Sequence, residues 1–206
     1  FSLPKTLTLF RTIESNLLSF PDDIQNCTLL KEIALVNSIK KLPVNIERIT
    51  KLEKFGMSFN GLLDANLFDF NSFCKLKDLQ SLKDLYISGV DFRNSGIPDC
   101  IFKLVTLKTL YLNYCKISNI NKNILNLKNL KYLSIDYTEL NEFPMILIEI
   151  ENLEFISIVE NKIENFEYIG TCKPTKLREI NFRYNPLTNK AKENIKKYFQ
   201  GIKVTF

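Results

Sequence analysis

The side chains that carry out most enzyme chemistry are scarce in this sequence. The 206 residues include no histidine, which excludes histidine-based catalytic triads and histidine-ligated metal sites. The stretch GMSFNGLL at residues 56–63 has the glycine spacing of a phosphate-binding loop, but Leu62 and Leu63 stand where Lys and Ser or Thr are needed. Carboxylates are numerous, yet none has a convincing partner for acid–base catalysis. We therefore expect a protein that is not an enzyme and that holds no metal and no cofactor.

Five cysteines are the remaining reactive groups: Cys27, Cys74, Cys100, Cys115 and Cys172. They form no C-x-x-C pair, their number is odd, and neither end of the chain holds two cysteines close together. Free buried thiols are the expectation. The pattern argues against a disulfide-dependent extracellular animal module and leaves bacterial export open.

Composition places the chain among globular proteins. The hydrophobic fraction is 45% and the charged fraction is 25%, which suits one sizeable core. The longest apolar runs, such as MILI at residues 145–148, are far shorter than the ~20 residues of a membrane helix, so no membrane span is expected. The first residue is Phe1, so either a signal segment has been removed or the numbering starts inside a longer gene product.

The net charge of +5 belongs to the C-terminal part. Residues 173–206 hold nine Lys or Arg and two acidic residues, a balance of +7. A basic segment can contact phosphate or an acidic surface. These lysines, however, lack the interleaved aromatic residues of a nucleic-acid groove. A solvated helix face is favoured, and no nucleic-acid partner is expected.

A repeat of about 23 residues runs through the whole chain. Its anchor leucines are Leu7, Leu30, Leu52, Leu82, Leu107, Leu130, Leu153 and Leu177. The unit reads L-x-x-L-x-L-x-x-N-x-L-x-x-L-P-x-x-I-x-x-L. Its L-x-L segment alternates like a strand, so the leucines face one side and the residues between them face the other. The rest of the unit is long enough to return the chain to a parallel neighbouring strand.

This unit resembles the leucine-rich repeat family over essentially all of the chain. The resemblance implies an α/β solenoid of about eight repeats, a right-handed curved horseshoe with a parallel β-sheet on its concave face. Irregular segments, 3-10 turns and short helices are expected on the convex face. We expect a single domain, 1–206, with a degraded first repeat and N-terminal cap at 1–29, repeats at 30–187 and a C-terminal cap at 188–206. In that cap Ala191, Ile195 and either Tyr198 or Phe199 share one side of a helix.

The ninth position of the unit tests this register. Asn60, Asn161 and Asn185 occupy it, and an Asn amide can both donate to and accept from the backbone where the strand turns outward. Cys115 and Thr138 are smaller substitutes at the same position. We expect all of them to form a structural ladder inside the coil.

Two repeats are longer than the others. The insertion after Leu62 carries Phe73, Leu76 and Leu79 at a spacing that predicts a short helix on the convex side, adding core there rather than a functional lip. The polar stretch at residues 93–96 predicts a loop.

The outward positions of the unit, which are the third, fifth, seventh and eighth, hold the candidate binding residues. They are Phe59, Tyr86, Tyr111, Tyr114, Tyr132, Tyr137, Phe155 and Tyr184, with Asn113, Asp136, Glu160 and Arg183 among them. Strands about 4.8 Å apart spread these rings over roughly 20 to 25 Å, about the scale of one protein interface. Exposed aromatic residues with scattered charges are typical of binding hot spots. The alternative is that cross-strand stacking of the rings only stabilises the sheet.

The sequence thus favours a protein-binding module that contacts a protein partner through its concave face. In its P-x-x-I-x-x-L units, its Lys, Asn and Ile bias and its absence of cysteine caps, the chain resembles the exported leucine-rich repeat proteins of spirochaete pathogens. That resemblance implies secretion or surface display and contact with host adhesion receptors of the cadherin kind. The alternative is an intracellular scaffold or regulatory subunit in the cytoplasm. Self-association also stays open.

Overall fold

A computed structural model describes residues 3–13, 19–21, 23–37, 41–167 and 174–206. Within these ranges the strands form one parallel sheet of nine strands whose spatial order is their order in the chain. The strands are β1 Leu9–Arg11, β2 Glu32–Val36, β3 Lys54–Asp64, β4 Asp84–Asp91, β5 Thr109–Tyr111, β6 Tyr132–Ser134, β7 Phe155–Ser157, β8 Glu179–Asn181 and β9 Lys203–Thr205. The chain therefore forms the solenoid that the repeat predicts.

Equivalent positions of successive repeats lie side by side in this sheet. Leu85 pairs with Leu110, and Leu110 pairs in turn with Leu133. All three leucines are fully buried, as is Ile156 in the next strand. Because the pairing is parallel and in register, a side chain on the outer face of one strand has its counterpart about 4.8 Å away on the next.

The return segments contain short helices. The 3-10 helices are Ile24–Asn26, Ile46–Arg48, Ala65–Leu67, Phe70–Asp78, Ile101–Lys103, Lys122–Asn126 and Met145–Glu149, and the α-helix α1 is Asn189–Tyr198. The predicted helix in the insertion is confirmed, with Phe73, Leu76 and Leu79 buried. The predicted loop at residues 93–96 is a turn. None of the described helices is long and apolar enough to cross a membrane.

The C-terminal segment closes the core. The Thr188 hydroxyl caps α1 by accepting a hydrogen bond from the Ala191 amide at 3.1 Å. Ala191, Ile195, Tyr198 and Phe199 are buried, so both aromatic alternatives face inward. Strand β9 follows the helix and pairs with β8, an element that the leucine spacing does not predict. An additional strand thus ends the sheet.

The ladder at the ninth position is confirmed at Asn161. Its Oδ1 accepts from the Thr138 amide at 3.2 Å and from the Leu140 amide at 3.0 Å, while its Nδ2 donates to the Ile135 carbonyl at 2.9 Å. Asn185 bonds the Ile163 amide and the Ile158 carbonyl in the same way.

Asn60 departs from this ladder. Strand β3 continues through it to Asp64, so the outward turn that would bring its side chain inside is missing, and Asn60 is exposed. Its backbone amide donates instead to Oδ1 of Asn37, at 2.6 Å. The expectation of a buried ladder residue is wrong at this position.

The cysteines correct the expectation of free thiols in part. Cys74, in the helix Phe70–Asp78, forms a disulfide with Cys100, which precedes the helix Ile101–Lys103 of the next repeat. Cys27 and Cys115 are free and buried, and burial raises the pKa of the Cys115 thiol to about 12. Cys172 lies outside the described residues. The spacing rules do not reveal the pair because they detect only cysteines close in sequence.

Candidate functional site

Tyrosines at the outward positions of β4 to β6 and of the turns behind them form the candidate site. Tyr86 pairs with Tyr111 across β4 and β5, and Tyr132 pairs with Phe155 across β6 and β7. Tyr114 and Tyr137 follow β5 and β6, respectively, at the eighth position of their repeats. The exposed tyrosines are Tyr86, Tyr114, Tyr132, Tyr137 and Tyr184, with exposed fractions of 38%, 57%, 45%, 42% and 71%.

The rings form two stacked pairs. The Tyr86 and Tyr111 ring centroids are 4.8 Å apart with planes 10° from parallel, and the Tyr114 and Tyr137 centroids are 4.4 Å apart at the same angle. Tyr132 and Phe155 are 6.4 Å apart and tilted by 40°. Such pairs stabilise the sheet. They also limit the movement of the rings.

The backbone at the eighth position is left-handed. The φ angles are 57° at Tyr114, 58° at Tyr137, 52° at Glu160 and 59° at Tyr184. A side chain with a Cβ atom is strained in this conformation by roughly 1 to 2 kcal/mol, and Gly or Asn adopts it more readily. Tyrosine at three of these positions is therefore not explained by the backbone.

The same position shows what the backbone alone prefers. Gly89 occupies it within β4 with a φ of 75°, and a Cβ atom there would lie 2.2 Å from the Phe59 carbonyl oxygen. Glycine is therefore required at this repeat. The tyrosines at the other repeats stand where the chain has room for a side chain.

Phe59 corrects the expected set. Its ring is half-buried and packs against the hydrophobic core, because β3 runs on to Asp64 with a register shift between Ser58 and Leu63. It is therefore not part of the exposed aromatic surface.

Asn113 and Asp136 connect neighbouring repeats through hydrogen bonds. Oδ1 of Asn113 accepts from the Asp136 amide at 2.9 Å. Oδ1 of Asp136 accepts from the Ser157 hydroxyl and from the Val159 amide, both at 2.7 Å. Both side chains are half-buried. These hydrogen bonds hold the ends of the strands in place. The Asp136 carboxylate also places a negative charge close to the tyrosines.

Glu160, Arg183 and Tyr184 extend the surface towards the C-terminal end. All three side chains are exposed. The Glu160 amide donates to the Arg183 carbonyl at 3.0 Å, which places the two residues on adjacent repeats. Phe155 and Tyr111 are only half-exposed and serve as the inner rings. Apart from Phe59, the structure thus places the predicted residues on one continuous face.

The tyrosine hydroxyls lie in a negative field. Burial, and then Asp84, raises the pKa of Tyr86 and of Tyr111, and Asp136 adds to the effect at Tyr111. Packing against its neighbours raises the pKa of Tyr137, with Tyr114 and Glu160 contributing. Asp84 is absent from the predicted residues. It nevertheless occupies the third position of its repeat, which is one of the outward positions from which the others were selected.

A depression adjoins the tyrosines on the N-terminal side. It has a volume of about 340 Å³, and Tyr86 forms one wall. Small residues form its floor, namely Ala34, Gly56, Ser58 and Ser88. A Cβ atom on Gly56 would lie 3.6 Å from the Tyr86 Cβ, so the glycine keeps this space open. The sequence signal would have been the run of small side chains at outward positions.

No protein-family model matches the chain, and no curated protein shows significant sequence similarity. Among solved structures, a leucine-rich repeat protein of Leptospira interrogans is 21% identical with a TM-score of 0.66, covering 98% of this chain and 55% of its own. The internalin InlF of Listeria monocytogenes is 18% identical with a TM-score of 0.65, covering 96% of this chain and 54% of its own. The chain thus spans about half the length of these two proteins.

A plant receptor and a second internalin are also similar in structure. The plant peptide hormone receptor RGFR1, solved in complex with RGF2, is 22% identical with a TM-score of 0.55, covering 90% of this chain and 30% of the receptor. The Listeria protein internalin C2 is 21% identical with a TM-score of 0.60, covering 88% of this chain and 74% of its own. Together with the in-register parallel sheet, these likenesses show that the chain has the leucine-rich repeat fold.

Proposed function

We propose that this chain is a protein-binding module that holds its partner against the tyrosines of the concave face. The observation that carries the proposal is the left-handed tyrosine at Tyr114, Tyr137 and Tyr184, where the backbone favours Gly or Asn. Ordered, exposed aromatic rings are the commonest anchors of protein interfaces. Fold analogy adds support, since a receptor of the same fold is solved with its peptide RGF2.

We further propose that the protein works outside the cytoplasm, as an exported or surface protein that contacts receptors on a host cell. The disulfide between Cys74 and Cys100 supports this because such bonds persist in oxidising compartments. Likeness to proteins of Leptospira and Listeria points in the same direction. Protease treatment of intact cells tests the location: digestion of the protein supports surface display, whereas a protected cytosolic pool supports the scaffold alternative.

The binding face is tested by capturing partners with the parent chain and with a variant in which Tyr111, Tyr137 and Tyr184 are all changed to Ala. We expect the variant to remain folded by circular dichroism and to lose its partner. A matched control changes Val44, Leu67 and Val105 to Ala, since these apolar side chains are exposed outside the sheet face. The control should capture the partner as the parent does.

The capture experiment distinguishes partner binding by the rings from a role in stabilising the sheet alone. If the tyrosine variant unfolds, the rings serve the sheet alone. If it folds and captures the partner normally, the contact surface lies elsewhere and the proposed function at this face is wrong.

A further inference from the structure

The central part of the concave face lacks positive charge. This part comprises four repeats, which begin at Leu82, Leu107, Leu130 and Leu153. Their third, fifth, seventh and eighth positions are sixteen outward positions. They hold six aromatic residues and three carboxylates, those of Asp84, Asp136 and Glu160, and no Lys or Arg. The whole chain has 28 basic and 23 acidic residues, so this part of the surface runs against the overall charge.

Most lysines at the margins of this face are paired with carboxylates. On the side where the strands begin, Lys83 pairs with Glu53 at 3.8 Å and Lys131 pairs with Glu154 at 2.8 Å. Lys108 stands between them at the second position of its repeat, outside the sixteen. On the opposite side Glu139 pairs with Lys116 and Lys162. Four of these lysines are thus paired with carboxylates, whereas Lys108, and Arg183 on the repeat next to Glu160, form no ion pair among the described residues.

The carboxylates among the rings are in a different situation. Within the described part of the chain, Asp84 and Glu160 form no ion pair. Asp136 accepts hydrogen bonds from the Ser134 and Ser157 hydroxyls and from the Val159 amide, and among the described residues it forms no ion pair. Their negative field reaches the phenols of Tyr86, Tyr111 and Tyr137, whose raised pKa values reflect it along with burial.

This combination fits one kind of ligand group. The face of a tyrosine ring attracts a cation, and a carboxylate beside the ring adds a charge partner. Arginine suits both contacts better than lysine, because its planar guanidinium stacks on rings and presents a fork of N–H donors to a carboxylate. An acidic or phosphorylated ligand would be repelled.

We propose that the partner is a protein segment that presents arginine side chains to the tyrosines between Asp84 and Glu160. This inference rests on the proposed function and specifies the chemistry of the partner. A second copy of this chain is a competing occupant, since residues 173–206 are basic. The peptide experiment below separates the two.

The test compares two synthetic pentapeptides. One has arginine at its first, third and fifth positions with glycine between, and the other has the uncharged isostere citrulline in place of arginine. Binding to the full chain is followed by NMR of the tyrosine ring protons. We expect the arginine peptide to bind at least about tenfold more tightly than the citrulline peptide, and to weaken as salt is raised.

Matched variants locate the effect. Asp84→Asn combined with Glu160→Gln removes two charges from the face with little change of shape, and the preference for arginine should fall to about threefold or less. Glu142→Gln combined with Glu149→Gln removes the same charge from exposed positions outside the sheet, and the preference should be retained.

Several results would overturn the proposal. They are equal binding of the two peptides, no binding of either, an unchanged preference in the first double variant, and sedimentation showing that the free chain is a dimer whose tyrosine rings are already covered. The proposed function fails separately, when partner capture survives the change of Tyr111, Tyr137 and Tyr184 to Ala. If capture is lost in the tyrosine variant while the parent chain shows no preference for the arginine peptide, the proposed binding face is retained and only the arginine proposal is rejected.

Discussion

The ring of Tyr137 lies flat on the ring of Tyr114 at 4.4 Å, and both residues have a left-handed backbone, with φ angles of 58° and 57°. The two features have opposite effects on stability, because stacking is favourable and a left-handed tyrosine is strained. Tyr184 has the same backbone with a φ of 59° and is the most exposed of the concave tyrosines. The effect of the left-handed backbone on stability can therefore be measured at Tyr184, apart from the stacking that Tyr114 and Tyr137 share.

Tyr184→Asn should stabilise the protein. Asn adopts the left-handed conformation readily, so relief of the strain should raise the free energy of unfolding by up to about 1 kcal/mol. Urea denaturation measures the change. Tyr132→Asn is the control, because Tyr132 lies within strand β6 and packs near Phe155, and its loss should destabilise by roughly 0.5 to 1 kcal/mol. Equal losses in the two variants would show that the backbone at Tyr184 stores no strain.

Alkaline pH should weaken the fold through Tyr86 and Tyr111. The pKa values of Tyr86 and Tyr111 are raised above the ordinary value of about 10, mainly by burial and then by Asp84. A raised pKa contributes stability that is fully present below pH about 10 and is lost as the pH rises through the folded-state pKa. Phenolate absorbance followed during a pH titration should show ionisation delayed beyond the value of a model peptide.

A variant assigns this titration. Tyr86→Phe keeps the ring and removes one phenol, so one delayed ionisation should disappear and the alkaline loss of stability should shrink. Loss of an ordinary ionisation near pH about 10, with the delayed ionisations unchanged, would mean that Tyr86 ionises normally.

Removing the amide of Asn161 should be strongly destabilising. Its side chain is buried and bonds the Thr138 and Leu140 amides and the Ile135 carbonyl. Asn161→Ala leaves these backbone groups without partners, and we expect a loss of about 2 to 4 kcal/mol in urea denaturation. Asn60→Ala, at the equivalent but exposed position, should lose distinctly less. Comparable losses would contradict the different geometry of the two repeats.

Reduction of the Cys74–Cys100 bond should also lower stability. The two cysteines are 26 residues apart, and opening a loop of this size costs about 3 to 4 kcal/mol in the chain-entropy account. Unfolding is compared with and without a thiol reductant, and peptide mapping under non-reducing conditions identifies the pair. The double variant Cys74→Ser with Cys100→Ser should be insensitive to the reductant. A parent chain that ignores the reductant would show that the bond is absent.

Sequence alone predicts the repeated part of the fold because the in-or-out alternation of Leu110 and Tyr111 is local to the strand. It does not predict β9, whose Val204 continues the sheet without a leucine anchor. It misplaces Asn60 because a longer strand, set by pairing with β4, overrides the turn. Cys74 and Cys100 pair because corresponding parts of adjacent repeats are neighbours in space, a relation that short-range spacing rules do not include. The sequence predicts the tyrosines of this face as a set of residues. The left-handed backbone of these tyrosines and the absence of lysine among them are seen together only in the structure.

The sequential order of the strands has a mechanical consequence. Each strand pairs only with the strands before and after it in the chain, so tension applied between the two termini would peel the coil from its ends, one turn at a time. A turn of about 23 residues would release roughly 80 Å of extended chain. The cross-link from Cys74 to Cys100 would withhold a comparable length until it is broken, giving the middle of the coil a stop against stretching.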